Sequence, residues 1–449
     1  MLKHQKKIFK MIKTVEFKKR TIELISKKKI RIGIIGLGYV GLPLALLFAK
    51  KGFKIFGFDN DNKKIYAINK NRSYIERISN KNITLLNKKG NQCFSDYKNI
   101  SECDIIIICV PTPLKRNNIP DLSFIQKTMN DILRYIKQGQ TIILESTSYP
   151  GTTEEEVIKK INKKFTIGKN FFVGFSSERI NPGVNENKIS SIPKVVSGYS
   201  KSCLKVVSEI YKKVFSKIVK ADTIKIAEFS KLLENIYRAV NIGFINEMKF
   251  VADKMGIDIF EIIKIASTKP YGFRPFHPGP GIGGHCIPID PHYLYWKAKK
   301  SGISANFIRL SADTNSKVIN FINKKVFRII SDLKIKKSNT KILILGLAYK
   351  KNMDDIRESA SIKLAETLKD NDFKHLFYCD PHIKNQISTK RYKYLKKIDK
   401  LYPSIIKKFD IIILMTDHDI FNYKIIKKNS KKIIDCRGRY QIDNNVVRG

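Results

Sequence analysis

The chain has 449 residues, 43% of them hydrophobic, and 86 Lys and Arg stand against 40 Asp and Glu for a formal charge of +46. That length accommodates two or three domains with ample core, and the charge taken alone suggests a nucleic-acid or membrane-surface partner. The lysines, however, are spread along the whole chain among Ile and Asn, with no RNA-module motif and no aromatic-plus-arginine platform, so we read biased composition and expect no nucleic-acid and no membrane partner. The cysteines (Cys93, Cys103, Cys109, Cys203, Cys286, Cys379 and Cys436) are odd in number and form no CxxC pair, which excludes a disulfide framework and fits a cytoplasmic location.

Residues 1–29 are a basic extension, irregular or helical, to which no chemistry is assigned. The uncharged run Ile32–Ala49 is as long as a membrane span, but its leader is too long for a signal-peptide n-region. The run also clusters Gly36, Gly38, Gly41 and Pro43, which suits a buried strand, a tight turn and a buried helix. The expected order is a strand at Arg31–Ile35, a helix from about Val40 to Lys50 ended by Gly52, and a strand at Lys54–Phe58 closing on Asp59.

"CDIIIICVPTP" then reads as a strand buried on both faces of a parallel sheet. "QTIILESTSYPGTTEEEV" gives a strand, a loop and a helix start, with Thr152 and Thr153 at capping-box spacing from Glu155 and Glu156. "NFFVGFSSERINPG" is a further strand and loop. This alternation predicts a doubly wound α/β domain.

From Ile224 to Met255 the pattern turns helical, and a helix of that length would separate two domains. The C-terminal third echoes the first: "KILILGLAYK", "HLFYCDP" and "KKFDIIILMTDHD" repeat the order of "RIGIIGLGYV", "KIFGFDND" and "SECDIIIICVPTP". We therefore expect an α/β fold of two Rossmann-like units joined by a long central helix. The expected divisions are a dinucleotide domain at 30–223, a central helical region at 224–337, and a smaller α/β domain at 338–449. The loop of that last domain keeps only Gly346 of the glycine set and carries Lys350 and Lys351, so it would bind a different ligand.

Gly36-x-Gly38-x-x-Gly41 follows a strand and opens a helix, and Asp59 ends the next strand. Those are the contextual requirements of a dinucleotide fingerprint. Gly36 allows the turn, and Gly38 lets the backbone approach a pyrophosphate seated on the helix N-terminus. Asp59 would accept from ribose hydroxyls and repel a 2′-phosphate, which favours NAD. Thr112 and Thr147 lie at strand ends where ligands of open sheets sit, although a local turn hydrogen bond explains each equally well.

"GPGIGGHCIPIDPHYLYWKA" (Gly279 to Ala298) hedges Cys286 with glycines. The neighbouring His277, His285, His292 and Asp290 fit no standard zinc spacing, so no metal is expected. The alternatives are an inert buried cysteine or a nucleophile whose glycines admit a substrate. A helix start just after it, with Asp290 as N-cap and Pro291 in the first turn, would favour the thiolate. Capping alone would also explain Asp290. Lys231, Asn235 and Arg238 share one helix face, either as a solvated stripe or as functional groups.

"GLGYVGLPLA", "KLLENIYRAVNIGFINE", "GPGIGGHCIPIDP" and "GLAYKKNMDDIRES" together resemble the UDP-glucose/UDP-mannose dehydrogenase family of nucleotide-sugar 6-dehydrogenases, over roughly Ile30 to Gly438. "STKPYGFRPFHPGPGIGGHCIPIDPHYLYWKA" is most similar to the UDP-N-acetylglucosamine type. The resemblance implies a homodimer or higher homo-oligomer that oxidises the C6 hydroxyl of a UDP-sugar to the uronic acid for surface polysaccharide precursors. UDP-N-acetylmannosamine, UDP-N-acetylgalactosamine and UDP-glucose are the alternative substrates. A two-electron hydroxyacid dehydrogenase and a basic nucleic-acid-binding protein are more remote alternatives.

By the same resemblance Cys286 is the nucleophile, Lys231 and Asn235 the catalytic helix pair, and Asp290, Glu178 and Thr147 further catalytic groups. Gly36, Gly38, Tyr39, Val40, Gly41, Asp59, Lys64, Thr112, Thr147 and Arg357 would contact NAD. Arg179, Ile180, Lys231, Asn235, Arg238, Gly283, Tyr349, Lys350 and Arg437 would contact the UDP-sugar, with Arg274 reaching a neighbouring subunit's substrate. Two departures stand out: Ser177 replaces the proline usual before the family glutamate, and Pro182 stands where UDP-glucose-type enzymes carry a second glutamate.

Overall fold

The computed structural model describes residues 16–75, 78–88, 90–179, 186–284, 287–384, 386 and 392–449, with backbone alone at 186–188. The chain forms two compact units, one ending at Glu234 and the other beginning at Asn235. The helix Ile224–Lys254 runs from the first into the second.

The first unit is built on eight strands: β1 (Arg31–Ile35), β2 (Lys54–Phe58), β3 (Gln92–Phe94), β4 (Ile105–Ile108), β5 (Thr141–Leu144), β6 (Phe172–Ser176), β7 (Lys194–Gly198) and β8 (Ile218–Lys220). Their order is β3-β2-β1-β4-β5-β6-β7-β8. Neighbours from β3 to β6 are parallel, whereas β7 runs antiparallel to β6. β4 is four isoleucines with no exposed surface, as a strand covered on both faces requires. Residues 16–26 of the basic extension are helical, Ile25 is buried in the core, and Phe17 packs where a Cβ on Gly139 would stand 3.0 Å from its ring.

The second unit repeats the arrangement with β9 (Lys341–Leu345), β10 (His375–Cys379), β11 (Leu395–Lys397), β12 (Ile411–Leu414), β13 (Ile433–Asp435) and β14 (Val446–Arg448). Their order is β11-β10-β9-β12-β13-β14, all parallel. The sequence echo therefore marks a structural repeat around β1 and β9. No helix among the described residues is long and apolar enough to cross a membrane.

The expected capping box at Thr152 and Thr153 does not form. Thr152 is already helical at φ −60 and its hydroxyl donates to the Tyr149 carbonyl at 2.7 Å, while the Thr153 hydroxyl donates to Glu228 at 2.7 Å. A π-helical turn over Thr153–Ile158 begins there, held by the buried Glu228 carboxylate, which also accepts from the Thr153 amide at 2.8 Å. At Thr153 the long-range Glu228 carboxylate takes the amide and hydroxyl, whereas Thr152 turns to the nearby Tyr149 carbonyl.

Two buried polar residues of the long helix anchor the glycine loop of the second unit. Asn246 accepts from the Gly279 amide at 3.1 Å and donates to Asn315 at 2.9 Å. Lys249 donates to the carbonyls of Gly279 at 3.2 Å and Gly449 at 2.9 Å, and is 1% exposed. Burial pushes its pKa down from 10.5 to about 8. Between those values the unfolded chain binds the extra proton, so this group's contribution to stability rises with pH. Lys249→Met removes that term. The stability difference between parent and variant, followed by urea unfolding, should shift by roughly 3 kcal/mol in the parent's favour from pH 7.5 to 10.5; a pH-independent difference would reject the assignment.

Candidate active site

In the first unit the loop after β1 meets the criteria of a dinucleotide cradle. Gly36 has φ +90, donates to the Phe58 carbonyl at 2.7 Å, and a Cβ there would stand 2.7 Å from the Cys109 carbonyl oxygen. A Cβ on Gly41 would stand 1.9 Å from the Gly36 oxygen, so the helix Gly41–Lys50 can begin against the loop only without one. Gly38 has nothing within 4 Å of its Cβ position, which leaves open space at the backbone that a pyrophosphate would approach. Val40 precedes the helix and Tyr39 packs against the core. NAD therefore fits these residues.

Asp59 is 7% exposed, and its carboxylate accepts from the Leu37 amide at 2.8 Å, the Asp61 amide at 3.0 Å and Lys64 at 3.0 Å. It holds the glycine loop in shape besides offering its remaining acceptor sites. The Thr112 hydroxyl donates to the Thr147 carbonyl at 2.7 Å, which ties together the loops after β4 and β5. Glu178 lies just beyond β6, 9% exposed, with Lys194 at 3.8 Å. Arg179 donates to the Pro193 carbonyl at 3.2 Å and pairs with Glu234. Ile180 lies outside the described residues. Lys231 is 7% exposed, and among the described residues no hydrogen bond or ion pair occupies its ammonium.

In the second unit three predicted residues form one chain of hydrogen bonds. The Arg238 guanidinium donates to the Asn235 side-chain oxygen, and the Asn235 amide nitrogen donates to the Asp290 carboxylate. Asn235 and Asp290 are both buried, at 1% and 4% exposure. Each neighbour fixes one end of the Asn235 amide, so its orientation is determined. Asp290 is not the N-cap expected from sequence. It is the first residue of the helix Asp290–Lys300, preceded by Ile289, and its carboxylate accepts from the Asn235 amide. Pro291 does lie in the first turn. His285 and Cys286 lie outside the described residues.

Two of the glycines before Cys286, expected to admit substrate, make room for the protein itself. A Cβ on Gly283 would stand 2.5 Å from the Tyr349 Cβ, and one on Gly284 would stand 2.8 Å from the Tyr349 ring. The Gly284 amide donates to the Arg357 carbonyl at 3.0 Å. The glycine loop is thus clasped to the loop after β9, which carries Tyr349 and Lys350. Burial, reinforced by Arg238, lowers the Lys350 pKa below the ordinary lysine value. Arg357 forks onto Asp355 through Nε at 3.0 Å and a terminal nitrogen at 2.7 Å. Arg437 donates to the Met415 carbonyl at 2.6 Å, and Arg274 is exposed.

The residues that sequence reading passed over are buried charges and amides in apolar elements: Glu145, Lys194, Glu228, Asn246 and Lys249. Their signal was present, since Glu145 comes directly after "TIIL" and Lys194 opens "KVVSG", each a charge where a buried strand has no water to solvate it.

Comparison with known proteins agrees with this geometry. The NAD binding domain of the UDP-glucose/GDP-mannose dehydrogenase family matches residues 30–215, its central domain 225–317 and its UDP binding domain 343–442. A UDP-N-acetyl-D-glucosamine 6-dehydrogenase of Pseudomonas aeruginosa is 34% identical, covering 76% of this chain and 80% of its own. A UDP-N-acetyl-D-mannosamine dehydrogenase of Methanocaldococcus jannaschii is also 34% identical, covering 92% and 91%. The solved UDP-D-ManNAc dehydrogenase of Pyrococcus horikoshii superposes with a TM-score of 0.82 at 30% identity, covering 92% of this chain and 97% of its own. The chain belongs to the UDP-glucose/GDP-mannose dehydrogenase family, as an NAD-dependent oxidoreductase.

Proposed function

We propose that the chain oxidises the C6 hydroxyl of UDP-N-acetyl-D-glucosamine to the uronic acid in two steps, through a covalent Cys286 thioester, in the cytoplasmic supply of surface polysaccharide precursors. The observation that carries this reading is the Arg238–Asn235–Asp290 hydrogen-bond chain at the start of the helix that comes after Cys286 in sequence. It orients a buried amide donor and a carboxylate, the pair that such chemistry needs.

Two molecules of NAD+, bound in turn, would supply the hydride acceptors for the two oxidations, held by Gly36, Gly38, Tyr39, Val40, Gly41, Asp59, Lys64, Thr112, Thr147 and Arg357. The chain's own groups do the rest. Asp290 takes the hydroxyl proton, directly or through water. The Cys286 thiolate adds to the aldehyde carbon and gives a thiohemiacetal. The second oxidation leaves a thioester, and water aided by Glu178 cleaves it to carboxylate and thiol. Lys231 and Asn235 donate to the oxyanions that develop on the way. Lys350, Tyr349, Arg238, Arg437, Arg179, Ile180 and Gly283 hold the nucleotide sugar.

UDP-N-acetyl-D-mannosamine is the second reading, because relatives so named match over more of the chain. A homo-oligomer in which Arg274 reaches a neighbour's substrate is supported by an exposed apolar stripe on one helix: Tyr237, Phe244, Val251 and Met255, spaced by whole helical turns.

Three outcomes are expected. A panel of UDP-sugars assayed for NADH and product mass should give two NADH per uronate, greatest with UDP-N-acetyl-D-glucosamine; one NADH per substrate would sink the four-electron reading. Cys286→Ser should abolish acid formation while NAD binding persists, whereas an unchanged rate of uronate formation excludes the covalent route. Phe244→Glu should shift the sedimentation coefficient towards that of a single chain, and an unchanged value would place the subunit contact elsewhere.

A further inference from the structure

Beside the dinucleotide cradle the first unit buries a charged cluster whose lysine has no part in the proposed reaction. Lys194 is the first residue of β7 and is 2% exposed; Glu145 comes directly after β5 and is 1% exposed. The Lys194 ammonium donates to one Glu145 carboxylate oxygen, and the Tyr211 hydroxyl donates to the other. Glu178, just beyond β6, has a carboxylate oxygen 3.8 Å from the same ammonium. The Tyr211 and Phe215 rings lie 5.3 Å and 5.2 Å from the Lys194 nitrogen.

The topology explains how these groups meet. β5 and β6 are parallel, so Glu145 and Glu178 leave the same edge of the sheet. β7 is antiparallel to β6, so its beginning, and not its end, lies at that edge. The one reversal of direction in the sheet is therefore what brings an ammonium between two carboxylates. Although burial opposes its charge, Glu145 and Glu178 together hold the Lys194 pKa above the ordinary lysine value. Cys109, directly after β4, also lies in this field. A lysine serving only as a buried counter-ion would need one carboxylate, and Glu145 already meets that need with Tyr211. Glu178 is a second carboxylate beyond that need, and two carboxylates this close would repel one another without the ammonium.

We infer that Lys194, anchored by Glu145 and Tyr211, is a positioning residue that fixes the Glu178 carboxylate for thioester hydrolysis. The inference deepens the proposed function and rests on it. In a buried setting the charge is weakly screened, so a point attraction at 3.8 Å acts on the glutamate without a direct hydrogen bond between the two groups.

The test is a double-mutant cycle on the full chain, read as steady-state turnover and as acyl-enzyme mass after quenching. Lys194→Met leaves Glu145 buried without its cation and can fail to fold, so Lys194→Met/Glu145→Gln, which removes both charges, is made in parallel. The double variant should bind NAD and keep its KM for the UDP-sugar, lose turnover by at least about tenfold, and accumulate the thioester on Cys286. Glu178→Gln should do the same, and adding it to the double variant should cost nothing further. Losses that multiply, or turnover within twofold of the parent in the neutral pair, would overturn the role of Lys194 while leaving the proposed function intact. Absence of any UDP-sugar oxidation by the parent protein would overturn the proposed function and this role with it.

Discussion

A carboxylate at the end of the second strand holds the loop after the first strand in both units, and the rest of each ligand edge depends on it. Asp59 accepts from the Leu37 amide, and Asp380 accepts from the amides of Leu347 and Ala348 at 2.7 and 2.8 Å. Each turn is led by a glycine at positive φ, Gly36 at +90 and Gly346 at +80, pressed against the end of a neighbouring strand in the sheet. A parallel sheet ends in unpaired backbone groups, and a buried carboxylate is the acceptor that satisfies them. In the second unit His418 adds to the lock: its ring lies 3.1 Å from Asp380 and accepts from the Asn352 amide at 2.9 Å.

From this shared frame the two units diverge in the segment immediately after the turn. After Gly36 a helix begins at Gly41, because no Cβ intervenes, and its N-terminus faces the open space at Gly38. After Gly346 the next helix begins only at Ala360, and the intervening loop carries Tyr349, Lys350, Asp355 and Arg357. One turn makes a cradle for a pyrophosphate; the other displays basic and aromatic side chains and packs against the glycine loop that leads to Cys286. The repeated fold thus supports two ligand chemistries with one backbone device.

The long helix contributes through polar residues on a mostly apolar element. Glu228 organises the turn at Gly151 and Thr153, Asn235 links Arg238 to Asp290, and Asn246 with Lys249 holds Gly279. Buried groups of this kind are costly unless satisfied. Each is satisfied by backbone or side chain from a segment remote in sequence, so the helix couples its own register to the loops that it supports.

The elements and their repetition are legible in the chain alone. Unbroken isoleucine runs, the spaced glycines and the aspartate at a strand end leave little choice of local structure, because each depends on neighbours a few residues away. The dinucleotide cradle and the Lys231, Asn235 and Arg238 face were legible for the same reason. The partners of the buried polar groups depend on the folded arrangement. Asp290 met Asn235, 55 residues away in the chain, Thr153 turned to Glu228, and Gly283 and Gly284 made way for Tyr349. Lys194 met Glu145 and Glu178 only because β7 reverses direction. A hydrogen bond or ion pair between segments tens of residues apart leaves no periodicity in the chain; it is set by sheet order and burial, where the strongest available partner displaces the nearest one.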